Sequence, residues 1–360
     1  MPGRIATATI ESAYLVSTRD PAEAMRLPGS RPSQTQGASM SRPELLMPGR
    51  MQQNVNDALD ARFVVHRLYE AKDPAATLAE IAPRIQAVAV GGAVDAALMD
   101  KLPKLEIVAS FGVGYDLVDA KHAATKGVIV TNTPDVLTEE VADTALGLLL
   151  MTVRELSASE RYLRAGKWPS GNYPLSGSLR DRTVGIVGLG RIGKAIARRL
   201  EAFDVKVVYH NRRPAEDVSY KYYADLTEMA RDVDTLLSVL PGGASTEKVI
   251  NRAVLDALGA QGVLINIGRG TVVDEQELIK ALQEKRILAA GLDVFEKEPQ
   301  VPAELMALEN AVLLPHVGSA SVYTRNAMGQ RVVDNLYAWL DGKAPLSPVA
   351  ETPFTGWKAK

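Results

Sequence analysis

The 360-residue sequence contains no cysteine, and this absence excludes several chemistries at once. Without thiols the chain cannot form disulfides, use a cysteine nucleophile or bind a metal through sulfur. The absence fits a reducing compartment, and we expect a cytoplasmic protein. Histidine is also scarce, because only four are present. Few residues are therefore available to transfer protons near neutral pH.

An excess of one charge and a long apolar run are also missing. The chain has 41 Lys and Arg against 43 Asp and Glu. This balance gives no general reason to expect nucleic acid or an anionic membrane as a partner. The most apolar run, residues 144–153, is about half of the roughly 20 residues that span a bilayer. At this length and with 46% hydrophobic residues, the chain is predicted to form two globular domains.

The first 42 residues differ in composition from the rest of the chain. The stretch "MRLPGSRPSQTQGASMSRP" is rich in Pro, Gly, Ser and Gln and has no sustained period. We expect residues 1–42 to be a disordered extension, with a true start near Met40 as an alternative. The segment lacks the apolar core of a secretory signal, and its acidic residues are unusual for a transit peptide.

From Glu44 onward, short apolar runs alternate with helix-like segments, which predicts parallel sheets. The first group of runs comprises residues 45–49, 62–68, 87–92, 106–114 and 128–133. A long helix is predicted over residues 138–166. The second group comprises residues 183–190, 205–209, 234–240, 262–268, 287–294 and 310–315. The predicted fold is α/β, with two doubly wound parallel-sheet domains and a closing helix over residues 322–340 that packs back on the first domain.

A glycine motif opens the second group of strands in "GIVGLGRIGKAIARRL". Its glycines follow a buried-type strand and begin an amphipathic helix, which is the context that distinguishes a dinucleotide site from a structural turn. The helix N-terminus offers free N–H groups to a pyrophosphate. We therefore predict a Rossmann domain whose cofactor contacts include Gly188, Gly190, Arg191, Ile192 and Gly193.

The strand "VKVVYHNRRP" indicates which dinucleotide binds. A carboxylate at its end normally pairs with the free ribose hydroxyl of NAD, whereas an arginine accommodates a 2′-phosphate. Here Asn211 is followed by Arg212 and Arg213. The sequence favours NADP(H), with NAD(H) weaker, and the alternative is a solvated basic loop.

His316 is the best acid/base candidate among the four histidines. It follows the apolar run "AVLLP" at the carboxyl end of a strand, where ligands bind in open α/β sheets. Arg269, Asp293 and Glu298 follow neighbouring strands. Each alone could be a turn residue, but together they supply a cation, an acid/base group and an orienting carboxylate.

Six stretches, in this order along the chain, carry a family resemblance: "SFGVGYD" (110–116), "TNTPDVLTEEVAD" (131–143), "VGLGRIG" (187–193), "NIGRGTVVDE" (266–275), "GLDVFEKEP" (291–299) and "LLPHVGSAS" (313–321). From about Glu44 to Gly342 the chain resembles the D-isomer-specific 2-hydroxyacid dehydrogenases. Within that family it is similar to the NADPH-dependent hydroxypyruvate, glyoxylate and hydroxyphenylpyruvate reductases.

The resemblance implies a role for each site residue. Arg269 would bind the substrate carboxylate, Glu298 and His316 would form the acid/base pair, and Asp293 would lie near the nicotinamide carboxamide, with Ile267 in the same cofactor site. The substrate carboxylate would also be held by backbone N–H groups of two turns, formed by Val90, Gly91 and Gly92 and by Val113 and Gly114.

The expected architecture is a Rossmann cofactor domain, residues 143–321, inserted into a flavodoxin-like substrate domain. The substrate domain comprises residues 43–142 and 322–345, and residues 346–360 are left as a tail. The segment "EEVADTALGLLLMTVREL" has more apolar residues than one helix face needs, so we expect a homodimer through it. The family suggests that Trp168 then reaches the partner's active site.

The expected function is NADPH-dependent reduction of a small 2-keto acid to the D-2-hydroxy acid, without a metal. Formate dehydrogenases carry glutamine where this chain has Glu298, and phosphoglycerate dehydrogenases often continue into a regulatory domain beyond Leu340, so both are less favoured. Two alternatives stay open. One is a hydroxyphenylpyruvate reductase, and the other is a dinucleotide-sensing corepressor that binds protein partners.

Overall fold

The computed structural model describes residues 42–180 and 182–357. Apart from Arg42, the predicted N-terminal extension lies outside these residues. Five parallel strands form the first sheet in the order β2-β1-β3-β4-β5. They are β1 (Glu44–Met47), β2 (Val64–Arg67), β3 (Ile85–Val90), β4 (Ile107–Ser110) and β5 (Ile129–Thr131). The intervening helices are α1 (Gln53–Arg62), α2 (Pro74–Ile81), α3 (Ala96–Asp100) and α4 (Ala120–Lys126).

Seven parallel strands form the second sheet in the order β12-β11-β10-β9-β6-β7-β8. They are β6 (Thr183–Val187), β7 (Lys206–His210), β8 (Lys221–Tyr223), β9 (Thr235–Ser238), β10 (Val263–Asn266), β11 (Ala289–Leu292) and β12 (Ala311–Leu313). The helices between them are α7 (Arg191–Glu201), α8 (Leu226–Asp232), α9 (Arg252–Leu258), α10 (Glu275–Gln283) and α11 (Ala303–Met306).

The two strand orders are those of a flavodoxin-like and a Rossmann sheet. This confirms the predicted fold class. All four residues of β4, of β9 and of β10 are buried, because helices cover both faces of each sheet. The strands therefore read as continuous apolar runs. The short edge strand β8, of sequence KYY, was not among the predicted strands.

The long helix predicted over residues 138–166 is wrong, because the structure breaks it into two helices. They are α5 (Thr138–Val153) and α6 (Leu156–Arg164). At the break, Glu155 has a φ of 51°, in the left-handed region that a helix cannot continue through. Helix α5 packs against α7 and against strands of the second sheet. Much of its apolar excess is therefore buried within the chain.

The closing helix α12 (Val322–Leu340) packs against α1 and β4. Its Trp339 ring lies 6.2 Å from that of Phe63, and the two rings are stacked. We call the five-stranded sheet with α1–α4 and α12 the first lobe, and the seven-stranded sheet with α7–α11 the second lobe. Within the described residues, no helix is both long and apolar enough to span a bilayer.

Residues 346–360 were predicted to be a tail, and for the described part of this segment the prediction is wrong. Val349 and Thr352 are buried, and Thr352 Oγ1 accepts a hydrogen bond from the Val130 N–H in β5. The N–H of Val349 also donates to the Val130 carbonyl. The first lobe therefore extends to at least Thr352, beyond the predicted boundary at residue 345.

Candidate active site

The glycine-rich turn after β6 has the geometry of an anion-binding loop. Gly188 has a φ of 102°, a conformation that favours glycine. A Cβ added at Gly193 would lie 2.3 Å from the Gly188 carbonyl oxygen. Helix α7 can therefore approach the turn this closely only because residue 193 is glycine. A Cβ at Gly190 would meet nothing within 4 Å, which leaves open space at the first turn of α7. These residues fit a dinucleotide pyrophosphate at the helix N-terminus.

The end of β7 joins this loop through Asn211. Its Oδ1 accepts a hydrogen bond of 2.7 Å from the Leu189 N–H, so the side chain supports the glycine turn. Arg212 and Arg213 are exposed and have no ion pair or side-chain hydrogen bond within residues 42–180 and 182–357. Arg191 differs, because its Nε lies 3.1 Å from Asp135 Oδ1.

The two isoleucines predicted to contact the cofactor, Ile192 and Ile267, lie in different surroundings. Ile192 is partly buried against the apolar core beneath the glycine turn. Ile267 is buried, and its Cδ1 lies 3.5 Å from the position of a Cβ added at Gly318. Ile267 thus lies beside the segment that follows His316.

His316 and Glu298 form a hydrogen-bonded pair beyond the carboxyl ends of β11 and β12. The His316 Nδ1 lies 2.6 Å from Glu298 Oε2, and the side chains are 45% and 32% exposed. Glu298 Oε1 accepts a hydrogen bond from the Phe295 N–H, which orients the carboxylate. Burial raises the pKa of Glu298, but the hydrogen bonds from His316 and Phe295 lower it by more than burial raises it. The pKa of Glu298 is therefore below its ordinary value. The group is therefore an ionised carboxylate that can hold a protonated imidazole.

The backbone at His316 is held in an uncommon conformation. Its φ is 52°, in the left-handed region, and its N–H donates to the Asp293 carbonyl. The Asp293 carboxylate is buried and accepts hydrogen bonds of 2.7 Å from the Val317 N–H and 2.8 Å from the Gly318 N–H. Burial raises the pKa of Asp293 despite these two bonds. Asp293 therefore fixes the turn that presents the histidine.

Arg269 follows β10 and contacts the first lobe. Its Nε donates to Asp116 Oδ1 at 3.0 Å, and its Nη1 donates to the Gly268 carbonyl at 3.0 Å. A Cβ added at Gly114 would lie 1.9 Å from Arg269 Nη2, so this approach requires glycine. The second lobe thus places its arginine directly against the turn after β4.

Two turns of the first lobe lie at the carboxyl ends of neighbouring strands. Val90 ends β3 and precedes Gly91 and Gly92, and Val113 and Gly114 follow β4. The Phe111 N–H donates to the Val90 carbonyl at 2.7 Å, which joins the two turns. In the described part of the chain, the N–H groups of Gly91, Gly92, Val113 and Gly114 donate to no carbonyl. These four N–H groups therefore have no backbone hydrogen-bond partner among the described residues.

Three polar residues near these turns were missed by sequence reasoning. Asp116 lies in the motif "SFGVGYD", but no spacing indicates its partner in the other lobe. Asn132 Nδ2 donates to the Val113 carbonyl at 2.9 Å. The Arg325 Cζ lies 5.7 Å from the centre of the Phe111 ring, and burial lowers the pKa of this arginine. Its position in the helix just after His316 is the one sequence signal that could have identified it.

The fold and the site define a dinucleotide-binding α/β protein with a hydrogen-bonded His–Glu pair in the second lobe and an arginine that contacts the first lobe. Residues 146–318 match the family model described as D-isomer specific 2-hydroxyacid dehydrogenase, NAD binding domain. Among relatives, the chain is 50% identical over 308 residues to glyoxylate/hydroxypyruvate reductase A of Arabidopsis thaliana, covering 85% of this chain and 98% of that protein. It is 49% identical over 308 residues to the hydroxyphenylpyruvate reductase of Plectranthus scutellarioides, with the same coverage.

A solved structure is similar over nearly the whole chain. It is the NADPH-dependent glyoxylate/hydroxypyruvate reductase of Sinorhizobium meliloti, in complex with NADP and malonate. The two chains share 55% identity with a TM-score of 0.85, over 89% of this chain and 100% of that one. The chain therefore belongs to the D-isomer-specific 2-hydroxyacid dehydrogenase family, which is a family of oxidoreductases. The predicted family is confirmed.

Proposed function

We propose that this protein reduces a small 2-keto acid, such as hydroxypyruvate or glyoxylate, to the D-2-hydroxy acid with NADPH. The observation that carries the proposal is the His316–Glu298 pair, with its 2.6 Å contact, in the lobe whose Arg269 contacts the Gly114 turn. The relatives named glyoxylate/hydroxypyruvate reductase support this substrate class.

The first lobe supplies the substrate site in this proposal. The free N–H groups of Gly91, Gly92, Val113 and Gly114 bind the substrate carboxylate, together with Arg269. The turns are joined through Phe111, so both can face one ligand group. In this proposal the substrate domain comprises residues 43–142 and 322–345, with the segment to Thr352 packed on it, and the cofactor domain comprises residues 143–321.

The second lobe supplies proton transfer and charge stabilisation. As the keto group is reduced, negative charge develops on its oxygen. Arg269 stabilises that charge, and protonated His316 donates a proton to the oxygen. Glu298 stabilises the protonated ring by its negative charge and fixes the ring orientation through Nδ1, which leaves Nε2 to face the substrate.

The dinucleotide, when bound, supplies the hydride. Gly188, Gly190 and Gly193 shape its pyrophosphate site, Arg191 and Ile192 lie in the following helix turn, and Asp293 and Ile267 lie toward the nicotinamide end. Arg212 and Arg213 bind the 2′-phosphate, which makes NADP(H) the preferred cofactor over NAD(H). The NADP complex of the Sinorhizobium meliloti relative supports this assignment.

The test is steady-state oxidation of NADPH with a panel of 2-keto acids, including glyoxylate, hydroxypyruvate and 4-hydroxyphenylpyruvate. We expect turnover with the small acids, and His316→Ala should lower kcat by roughly 10²–10⁴, the usual worth of general acid catalysis. A retained kcat would remove His316 from the mechanism. Preference for 4-hydroxyphenylpyruvate would instead favour the second relative's activity. No turnover with any acid would favour a binding protein.

We further propose a cytoplasmic homodimer that associates through α5, α6 and the segment after them. This region has four exposed apolar side chains, which are Leu156, Leu163, Trp168 and Leu175. In the dimer, Trp168 would reach the partner's site. Light scattering that shows a monomer at micromolar concentration would contradict the dimer, and cell fractionation tests the location.

A further inference from the structure

Asp116 and Arg269 form an ion pair between the two lobes. Asp116 lies in the turn that follows β4, and Arg269 follows β10. Arg269 Nε lies 3.0 Å from Asp116 Oδ1 and 3.4 Å from Oδ2, and the two side chains are 28% and 24% exposed, respectively. The pair is thus partly shielded from solvent.

Two of the three nitrogens of the Arg269 guanidinium donate hydrogen bonds within the described part of the chain, and the third does not. Nε donates to Asp116, and Nη1 donates to the Gly268 carbonyl. Nη2 has no hydrogen bond within the described residues, and it is the atom that a Gly114 Cβ would meet. Because a guanidinium is planar, bonds at Nε and Nη1 determine where Nη2 points.

Asp116 is itself held against the second lobe. A Cβ added at Gly242 would lie 3.0 Å from Asp116 Oδ2 and 3.3 Å from the Arg269 Cγ. Glycine at this position therefore leaves room for the Asp116 carboxylate beside the Arg269 side chain.

We propose that Asp116 is a positioning residue for Arg269, and this rests on the proposed keto-acid reduction. Its carboxylate holds the guanidinium plane so that Nη2 faces the Gly114 turn, where the substrate carboxylate and keto oxygen bind. A salt bridge that merely joins the lobes would stabilise the fold without acting through Arg269. The two roles differ in how substitutions at the two positions combine.

The experiment is a double-mutant cycle in the full chain, with glyoxylate and hydroxypyruvate as substrates. Asp116→Ala should lower kcat/KM for the keto acid by about 10–100-fold, because displacement of a reacting group by about 1 Å costs that much. KM for NADPH should change by less than about twofold. In an Arg269→Ala background, Asp116→Ala should have almost no further effect, because residues that act as one unit are not additive.

Two further variants separate positioning from folding. Asp116→Asn keeps an oxygen that can accept from Nε, so it should restore part of the lost kcat/KM. Asp60→Ala removes the partner of Arg67, a pair of 2.7 Å at the edge of the first sheet, and should leave kcat/KM unchanged.

Additive losses in the cycle, or a loss confined to thermal stability, would overturn the role of Asp116 while leaving the proposed function intact. If the wild-type chain fails to oxidise NADPH with every 2-keto acid tested, both the role of Asp116 and the proposed function are overturned.

Discussion

At the scale of single residues, the candidate site contains two pairs of polar side chains joined by hydrogen bonds, His316 with Glu298 and Arg269 with Asp116. His316 lies in a left-handed backbone conformation, and its ring is held by a carboxylate whose own pKa is lowered. The sequence could place both residues near one sheet edge because they lie in the segments after β11 and β12, which are neighbouring strands, and the family resemblance paired them. It could not predict that Asp116 would hold Arg269, since the partners are 153 positions apart and belong to different lobes.

Glu298→Gln should change the pH dependence of keto-acid reduction. Burial raises the pKa of Glu298, but the hydrogen bonds from His316 and Phe295 outweigh it and hold the pKa below its usual range. The carboxylate therefore stays ionised until the pH falls through that lowered pKa, and its protonation weakens the bond that orients the His316 ring, so kcat/KM of the wild type should fall on the acidic side. Glu298→Gln has no carboxyl group to protonate at this position, so its kcat/KM should be lower than that of the wild type at neutral pH and should lose this acidic fall.

The measurement is a pH profile of kcat/KM with saturating NADPH. Glu304→Gln, on the exposed surface of α11, is the matched control and should leave the profile in place. An acidic limb that is unchanged in Glu298→Gln would mean that protonation of another group causes it.

At the scale of secondary structure elements, strong apolar periodicity predicted most strands and the closing helix. The exceptions have physical causes. Strand β8 is three residues long at a sheet edge, so burial imposes little pattern on it. The break between α5 and α6 falls at Arg154 and Glu155, where neither proline nor glycine marks an end. The sequence therefore carries no local signal for the end of α5.

The loop after β7 should decide which dinucleotide is used. Replacing Arg212 and Arg213 with alanine removes one or two charge-assisted contacts to a 2′-phosphate, each worth about 1.5–3 kcal/mol. KM for NADPH should rise by at least about tenfold, since 1.4 kcal/mol corresponds to a factor of ten. KM for NADH should change little, because that cofactor has no 2′-phosphate.

The control for this loop is Arg231→Ala, an exposed arginine on α8. Asn211 should stay unchanged in these variants, because its Oδ1 supports the glycine turn through the Leu189 N–H. An unaltered ratio of kcat/KM for NADPH over NADH would make the arginine pair a solvated basic loop.

At the scale of the whole molecule, the C-terminal segment connects the closing helix to the proposed substrate site. Asn335 of α12 is buried, and its Oδ1 accepts from the N–H groups of Leu346 and Ser347. Ser347 Oγ donates to the Asn132 carbonyl, and Asn132 Nδ2 donates to the carbonyl of Val113. Sequence reasoning left this segment as a tail because it has no periodic apolar pattern, and its order depends on polar bonds instead.

Asn335→Ala should therefore destabilise the protein and weaken substrate binding together. The buried Ser347 N–H and hydroxyl lose their Asn335 partner, as does the N–H of the exposed Leu346, and each buried group left unsatisfied costs about 1–3 kcal/mol. The free energy of unfolding in urea should fall by about 2 kcal/mol or more. KM for the keto acid should rise while KM for NADPH stays constant, because the Val113 turn loses support and the glycine loop does not. Asn326→Ala, exposed on the same helix, controls for the loss of an asparagine from α12. Equal stability of the two variants would show that the C-terminal segment packs independently of Asn335.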